Sequence, residues 1–452
     1  MRCCADMTAL SLLVSKTPVS PPFSFGGLRK CRYRGVTQFL EITMHSVLGM
    51  LAIVAFAYAV SSNRQAVAWK TIGMAFAIQF IVGGIALFTS WGNRALSAAA
   101  TVIGSLLSYS RAGIDFMFGQ LAAYDGPIGF VFAVNVLPVV VFFSAFIAVL
   151  YHLGVMMWVV RILGGGLRRF LGTSHAESMS AAANIFVGQA EAPLVVKPFI
   201  PAMTRSELFA VMVGGLSTIA GSVMAGYVAL GIPLEYLVTA SFMAAPGGLM
   251  MAKLVEPETG TPVVPKAGDD ATTSRYVNII DAAATGALDG LRMAAAIAAM
   301  LIAFVALIAL INGLLQYFGA FVGFEDITLE LLLGYLLGPV AWLLGIPWAE
   351  ASTAGSLIGQ KLILNEFVAY VAFSGVSESL SPIAQAVVIF ALCGFANLSS
   401  IAILLGGLGA IAPSRRDDIS RLGVRALIAA TLANLMSAAL AGFFLSLPGA
   451  AG

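Results

Sequence analysis

Residues 184–193 read "NIFVGQAEAP" and bring three polar side chains together, Asn184, Gln189 and Glu191, just before a helix-breaking proline. The surrounding chain has 452 residues, of which 60% are hydrophobic and 10% charged, and its mean hydropathy is +0.95. Apolar windows of about 20 residues, the length at which a helix crosses a bilayer, recur along it. The sequence therefore predicts an all-α polytopic membrane protein, with one helix broken at membrane depth near Val187.

Eight apolar windows predict eight transmembrane helices. They lie near residues 44–61, 69–90, 128–155, 206–230, 232–254, 286–315, 383–408 and 420–447. Residues 93–122 mix Ser, Arg and Asp with apolar residues at helical spacing, which predicts a helix lying at the membrane interface. Two further apolar stretches, 174–203 and 350–376, are interrupted by glycine, proline or carboxylates.

The chain divides into five parts. Residues 1–43 are rich in Pro, Ser and Arg and are expected to be a disordered leader or to precede the true start at Met44. Residues 44–127 contain the first two spans and the interfacial helix, and 128–254 form a first repeat. A hydrophilic cytoplasmic linker, 255–278, separates it from a second repeat, 279–452.

The distribution of basic residues predicts the orientation. We take the loop that contains Arg64 and Lys70 as cytoplasmic. Most of the remaining Lys and Arg residues then lie on the cytoplasmic side as well, but only if each interrupted stretch enters and leaves the membrane on the same face. Both stretches are therefore predicted to be re-entrant hairpins, the first from the cytoplasm and the second from outside. Both ends of the eight-helix core then face outward.

The two repeats also share a weak sequence pattern. The first has Gly188-Gln189, then Glu191, then a span carrying "GLSTIAGS"; the second has Gly359-Gln360, then "NEF" at 365–367, then a span carrying "GFANLSSI". Chance similarity among small-residue helices is the alternative explanation. Because the hairpins enter from opposite faces, the repeats are expected to have inverted topology. Inverted repeats with discontinuous helices are typical of transporters, with the binding site near the midplane.

Two glutamates are the strongest candidates for chemistry. A carboxylate at bilayer depth costs about 2.5–3.5 kcal/mol, so Glu191 and Glu366 predict a shared aqueous site; alternatively, each caps a broken helix. Gln189 both donates and accepts, as an uncharged heterocycle requires. Asn397 and Ser400 are three residues apart and are predicted to share a helix face.

Other residues carry weaker expectations. Asn184, Thr218 and the carbonyls freed by a break near Val187 suit a hard monovalent cation such as Na⁺. Lys197 and Lys361 are expected to extend toward the interface. The four cysteines have no spacing typical of zinc sites or disulfides, and no nucleotide-binding motif or organic cofactor is indicated.

Four blocks closely resemble signature sequences of the concentrative nucleoside transporter family. They are "GQAEAPLVVKPF" (188–199), "GGLSTIAGSVMAGYVALGIP" (214–233), "NEFVAY" (365–370) and "CGFANLSSIAI" (393–403). The resemblance runs from about Met44 to the C-terminus. It implies a homotrimer in the plasma (inner) membrane whose subunits each have eight transmembrane helices, two re-entrant hairpins and interfacial helices. Each subunit would import nucleosides, with no nucleic-acid partner, by an elevator-like motion driven by a cation gradient.

The resemblance also implies roles for individual residues. Gln189, Glu191 and Val223 correspond to nucleobase contacts, and Glu366, Asn397 and Ser400 to ribose contacts, with Phe395 as an apolar wall. The sodium site corresponds to Asn184, Thr218 and the carbonyls of Val187 and Ile219.

Two positions depart from the family pattern, Ala190 and Ala296, and relatives often have Asn at the second, so no contact is inferred from that span. Position 190 is commonly Thr or Ser in the family, whereas this chain has Ala190. The loss of a hydroxyl beside the base predicts relaxed selectivity, with purine as well as pyrimidine nucleosides accepted.

Alternative functions remain open at this stage. Proton coupling competes with sodium coupling because membrane-depth glutamates can titrate. A passive channel and an intramembrane enzyme that uses Glu191 and Glu366 as an acid–base pair are more distant possibilities. Hairpins that stop within the bilayer argue against an open pore, and no nucleophile accompanies the two carboxylates.

Overall fold

The computed structural model describes residues 25–123, 129–189, 191–262, 276–321, 323 and 326–448, with side chains from residue 41 onward. Within these ranges every regular element is helical, which confirms the all-α class. The α-helices are α1 (Phe25–Ala59), α2 (Trp69–Phe88), α3 (Ser90–Phe118), α4 (Phe132–Asn135), α5 (Leu137–His152), α6 (Val155–Leu171), α7 (His175–Ala183), α8 (Arg205–Ser217), α9 (Gly221–Ala229), α10 (Leu234–Val255), α11 (Ile279–Ala320), α12 (Leu329–Leu343), α13 (Trp348–Ile363), α14 (Glu366–Val376), α15 (Pro382–Leu392), α16 (Leu398–Ile411) and α17 (Arg416–Leu445).

By their contacts, Met1–Leu40 and Glu41–Gly452 form two separate units. The expectation that residues 1–43 are a disordered leader or precede the true start at Met44 stays a prediction; among the described residues, Phe25–Ala59 form one helix, α1. No proline occurs between Phe25 and Ala59, so nothing in the sequence of this stretch breaks the helix. Residues 1–24 lie outside the described residues.

Seven helical stretches in the described part of the chain are long and apolar enough to cross a membrane. They are Glu41–Ala59, Trp69–Phe88, Phe132–His152, Arg205–Ala229, Leu234–Val255, Ile279–Ala320 and Pro413–Leu445, which match seven of the eight predicted spans. The remaining predicted span, 383–408, consists of two short helices, α15 and α16. The predicted interfacial stretch forms one continuous helix, α3.

The elements repeat in order. A long span, a further helix, an interrupted segment, a divided span and a long span follow one another as α5 to α10 and again as α11 to α17. The last helices of the two series, α10 and α17, pack on each other, and each packs on the divided span of its own series. Both divided spans also contact the opposite long helix, α8 against α17 and α15 against α10. The core therefore consists of two similar halves.

The two interrupted segments differ in detail. The first consists of α7, a run of turns and two 3-10 turns, Ala192–Val196 and Ile200–Ala202. The second consists of α13 and α14, and α13 is bent by 115° from the preceding α12. Gln189 lies in a turn after α7, whereas Gln360 lies inside α13. The two Gly-Gln pairs that were matched in the sequence are therefore not at equivalent positions in the structure.

Candidate functional site

The breaks in the two divided spans meet in the core. Breaking a helix leaves its last carbonyls without intrahelical partners, and here the second half supplies donors to carbonyls of the first. The amide of Phe395, in the second break, donates to the carbonyl of Thr218 in the first at 3.1 Å. Asn434 on α17 joins both breaks, because its Nδ2 donates to Ser217 O at 2.7 Å and to Cys393 O at 2.9 Å.

The first interrupted segment packs against the first break. Helix α7 starts with a capping box, in which Ser174 and Glu177 satisfy each other's backbone amides. Its C-terminal cap is Asn184, and two residues later the carbonyl of Phe186 accepts from Gly221 N at 2.9 Å. Glycine in α8 permits this approach, since a Cβ on Gly215 would lie 2.9 Å from Gln189 Cβ.

Two acceptor atoms at this contact have no hydrogen-bond partner in the described part of the chain. They are Asn184 Oδ1 and Gln189 Oε1, and both residues are buried. The Nδ2 of Asn184 donates to Ser180 O at 2.9 Å, which fixes the amide with its oxygen turned away from that carbonyl. Buried acceptors without donors are unfavourable in an isolated protein, so these two atoms are suited to a cation or a donor on a ligand.

The other predicted sodium ligands lie at the same contact. Thr218 is the C-terminal cap of α8, and its hydroxyl donates to Gly214 O at 2.9 Å. Val187 and Ile219 are buried residues whose carbonyls belong to the turn after α7 and to the first break. A Cβ on Gly214 would lie 3.1 Å from Asn184 Nδ2, so α8 approaches Asn184 closely. These residues supply neutral oxygen ligands only.

A second polar cluster surrounds Glu366, the first residue of α14. Its Oε2 accepts from Asn397 Nδ2 at 2.9 Å, and its Oε1 accepts from the hydroxyl of Tyr227 at 3.0 Å. Asn397 is the N-cap of α16, where its Oδ1 accepts from Ser400 N at 2.9 Å and from Ser399 Oγ at 2.7 Å. The cap holds the amide in one orientation, with its Nδ2 directed at the carboxylate.

A cavity of about 410 Å³ lies beside the first interrupted segment. This volume is within the range of small-molecule sites, about 300–1,000 Å³. Its lining includes Glu191, Phe186 and Ser222, and it extends to the end of α5 at His152 and to Tyr276 before α11. Glu366, Asn397 and Ser400 are not part of this lining.

Helix α9 connects the cavity to the second cluster. Ser222 lines the cavity, the next residue, Val223, is buried, and Tyr227 one turn later reaches Glu366. Phe395 is half-buried in the second break, and a Cβ on Gly188 would lie 3.7 Å from its ring. The structure thus brings the predicted residues into two neighbouring groups. Ala190 lies outside the described residues.

Four residues of these groups were not identified from the sequence. They are Phe186, Ser222, Tyr227 and Asn434. Tyr227 and Asn434 occur singly in apolar helices, which is the only signal that the sequence offered. The expectation for Lys361 is wrong: its side chain is not directed to the interface but is buried, and Nζ donates to Asn434 Oδ1 at 2.7 Å.

Three family models cover most of the described chain. They are the Na⁺-dependent nucleoside transporter N-terminus at residues 48–121, nucleoside recognition (Gate) at 133–234 and the Na⁺-dependent nucleoside transporter C-terminus at 236–442. A relative matched over nearly its whole length is the nucleoside permease NupC of Helicobacter pylori, which is 47% identical over 90% of this chain and 98% of its own.

The chain belongs to the concentrative nucleoside transporter family.

This family consists of transporters, not enzymes, and the protein is a multi-pass membrane protein. The human sodium/nucleoside cotransporter 1 is 39% identical over 88% of this chain and 63% of its own length. Among solved structures, CNTnw in an inward-facing, substrate-bound state has a TM-score of 0.87 and 50% identity, over 91% of this chain and all of that one.

Proposed function

We propose that this transporter imports nucleosides by symport with Na⁺. The observation that carries the proposal is the buried Glu366–Asn397 pair at the second break. A carboxylate oxygen has two lone pairs, so each oxygen of Glu366 retains acceptor capacity beside its Asn397 or Tyr227 bond. Vicinal hydroxyls of a ribose match that capacity with charge-assisted hydrogen bonds. Ser400, buried beside Asn397, adds a hydroxyl to the same side.

The nucleobase would lie toward the first interrupted segment. Gln189 presents an acceptor without a partner among the described residues, and Glu191 lines the cavity. Val223 and Phe395 are apolar neighbours on opposite halves of the core, suited to the faces of a planar ring. The cavity extends from Glu191 to the end of α5 and the start of α11, which the distribution of basic residues assigns to the cytoplasm. An opening on that side fits delivery of substrate into the cell.

The coupling ion would bind where α7 ends against the first break. The oxygens are Asn184 Oδ1, the Thr218 hydroxyl and the carbonyls of Val187 and Ile219. A cation there would neutralise the buried acceptor of Asn184 and hold the turn that presents Gln189. Ion and nucleoside affinities would then be linked reciprocally.

The proposal includes the remaining architecture implied by the family. Both interrupted segments act as re-entrant hairpins that enter from opposite faces, and the two repeats are inverted. The halves of the core move together in an elevator-like cycle within a homotrimer of the inner membrane. The long helix α11 is mostly exposed along its apolar surface, which suits contact with lipid or with a second subunit.

Uptake of labelled uridine and adenosine into proteoliposomes tests the function directly. A Na⁺ gradient at equal pH is expected to drive accumulation above the external concentration, and an ionophore that collapses the gradient is expected to abolish it. Accumulation that requires a pH gradient and ignores Na⁺ would assign the coupling to protons. Equilibration without accumulation would indicate a passive channel.

A separate prediction concerns Ala190. Introducing a hydroxyl by Ala190→Thr is expected to narrow base selectivity, because the new group adds a directional hydrogen bond that only some bases can satisfy. The measurement is the inhibition of labelled uridine uptake by unlabelled adenosine. Adenosine should compete about tenfold less well in the variant, because uridine gains a hydrogen bond of about 1.4 kcal/mol that adenosine does not gain. Identical competition profiles would contradict the prediction, and Ala192→Thr serves as the matched control two residues away.

A further inference from the structure

Lys361 is the one lysine of the second interrupted segment, and its side chain is 1% exposed. Its Nζ donates to the backbone carbonyl of Ala391 at 2.8 Å and to Asn434 Oδ1 at 2.7 Å. A buried ammonium is costly unless neutral or charged oxygens surround it. The chain therefore retains this charge in the core at a defined place, and the transport mechanism proposed above does not use it.

That place is the end of α15, where the second break begins. Ala391 is the second-last residue of α15, so its carbonyl lacks the intrahelical donor that a continued helix would supply. The amide that follows four residues later, Phe395 N, donates instead to Thr218 O in the first break. The ammonium of Lys361 donates to the Ala391 carbonyl in place of the missing backbone amide.

The ligands of this ammonium match the proposed sodium site in kind. Each site combines the side-chain oxygen of an asparagine with a backbone carbonyl at or beside the break of a divided span, Ile219 O in the first and Ala391 O in the second. In the first repeat the asparagine is Asn184, whose Oδ1 has no hydrogen-bond partner in the described part of the chain. In the second repeat it is Asn434, whose Oδ1 accepts from Lys361. In the first repeat the asparagine oxygen is thus available to an ion, whereas in the second repeat it accepts a hydrogen bond from the lysine ammonium.

The hairpin arms show the same contrast. Lys361 lies three residues before Leu364, the C-terminal cap of α13, and Ala181 lies three residues before Asn184, the C-terminal cap of α7. In the first repeat the small side chain of Ala181 leaves room for an ion from solution. In the second repeat the side chain of Lys361 itself supplies the positive charge.

We propose that the ammonium of Lys361 is a tethered cation. It binds the asparagine oxygen and the freed carbonyl at the second break, as the coupling ion is proposed to do at the first. This inference rests on the proposed ion site in the first repeat. Because Lys361 is part of the protein, its charge moves inward with the loaded transporter and outward again with the empty one, so it transfers no net charge per cycle. A Na⁺ ion that is released inside the cell does transfer a charge. Lys361 thus confines ion coupling to one repeat.

The test compares two neutral variants, Lys361→Ala and Lys361→Met, purified, reconstituted and driven by the same Na⁺ gradient, with choline chloride or methylammonium chloride added on both sides of the membrane. Alanine opens space beside Ala391 O and Asn434 Oδ1, whereas methionine fills it without charge. With added choline, uptake by Lys361→Ala is expected to be at least about tenfold below that of the parent protein, and with added methylammonium it is expected to recover several-fold. Lys361→Met is expected to stay folded, as judged by thermal unfolding, and to transport poorly in every salt. Lys197→Ala, an exposed lysine of the first segment, controls for salt effects.

Several results would overturn the proposal. They are uptake by Lys361→Met at the rate of the parent protein, uptake by Lys361→Ala that does not respond to small cations, or failure of Lys361→Ala to fold even when methylammonium is present throughout purification. If the unsubstituted protein shows no Na⁺ dependence, the sodium symport proposal fails, whereas rescue of Lys361→Ala by methylammonium still decides the role of the lysine.

Discussion

Replacing Glu366 by glutamine is expected to reduce uridine uptake at low substrate concentration at least about 100-fold. The fold should tolerate the change, because the glutamine oxygen can keep the bond from Asn397 Nδ2 while the hydroxyl of Tyr227 turns to accept from the new amide. Asn397 itself cannot reverse its amide without losing the bonds from Ser400 and Ser399. What is lost is the charge, and two hydrogen bonds to a charged acceptor contribute about 3 kcal/mol or more, which corresponds to about two powers of ten.

The matched control is Glu378→Gln, a carboxylate just beyond α14 that is exposed. Its uptake should equal that of the parent protein, and thermal unfolding of both variants should show intact folds. A 2′,3′-dideoxynucleoside provides a second readout. It should compete weakly with uridine in the parent, because Glu366 would be buried without its ligand partners, and the discrimination should largely disappear in Glu366→Gln. Parent-like uptake by Glu366→Gln would remove the ribose assignment.

The sequence predicted the two interrupted segments because they depend on local signals. The polar cluster from Asn184 to Glu191 in an apolar chain marked the first interruption, and Glu366 within an apolar stretch marked the second. The sequence did not predict that 383–408 is divided, although Gly394 and Asn397 both lie there, because the window is apolar enough for one span. Helix α6 was missed for the opposite reason, since Arg161, Arg168 and Arg169 lower its apolar content.

The long-range partners of the site were beyond prediction. Tyr227 is 139 residues from Glu366 in sequence, and Asn434 is 217 residues from Ser217. Neither separation leaves a periodic signal. Lys361 was misassigned because a lysine near a membrane usually extends to water, and only the tertiary structure shows the freed carbonyl that holds it. Local sequence signals thus indicate the residues at a helix break, whereas only the tertiary structure shows which distant residues contact them.

Replacing Asn184 by alanine is expected to raise the Na⁺ concentration for half-maximal uptake at least about tenfold. The variant removes an oxygen that lies beside the first break and accepts no hydrogen bond from the described residues. One ligand bond to a cation of about 1.4 kcal/mol accounts for the change. By linkage, the affinity for uridine should also lose most of its dependence on Na⁺, as measured by uptake at several fixed Na⁺ concentrations.

Asn135→Ala is the matched control for this prediction. Asn135 is also buried, and its Nδ2 also donates to a carbonyl four residues earlier, Val131 O at 3.1 Å. Its Oδ1, however, accepts from Arg111 at 3.0 Å, so it offers no oxygen to an ion. Removal of the Asn135 amide should destabilise the protein at least as much as removal of the Asn184 amide, because the bond from Arg111 is also lost, whereas only Asn184→Ala should alter the Na⁺ dependence. An equal shift in both variants would mean that Asn184 acts through packing, and an unchanged Na⁺ dependence in Asn184→Ala would exclude it from the ion site.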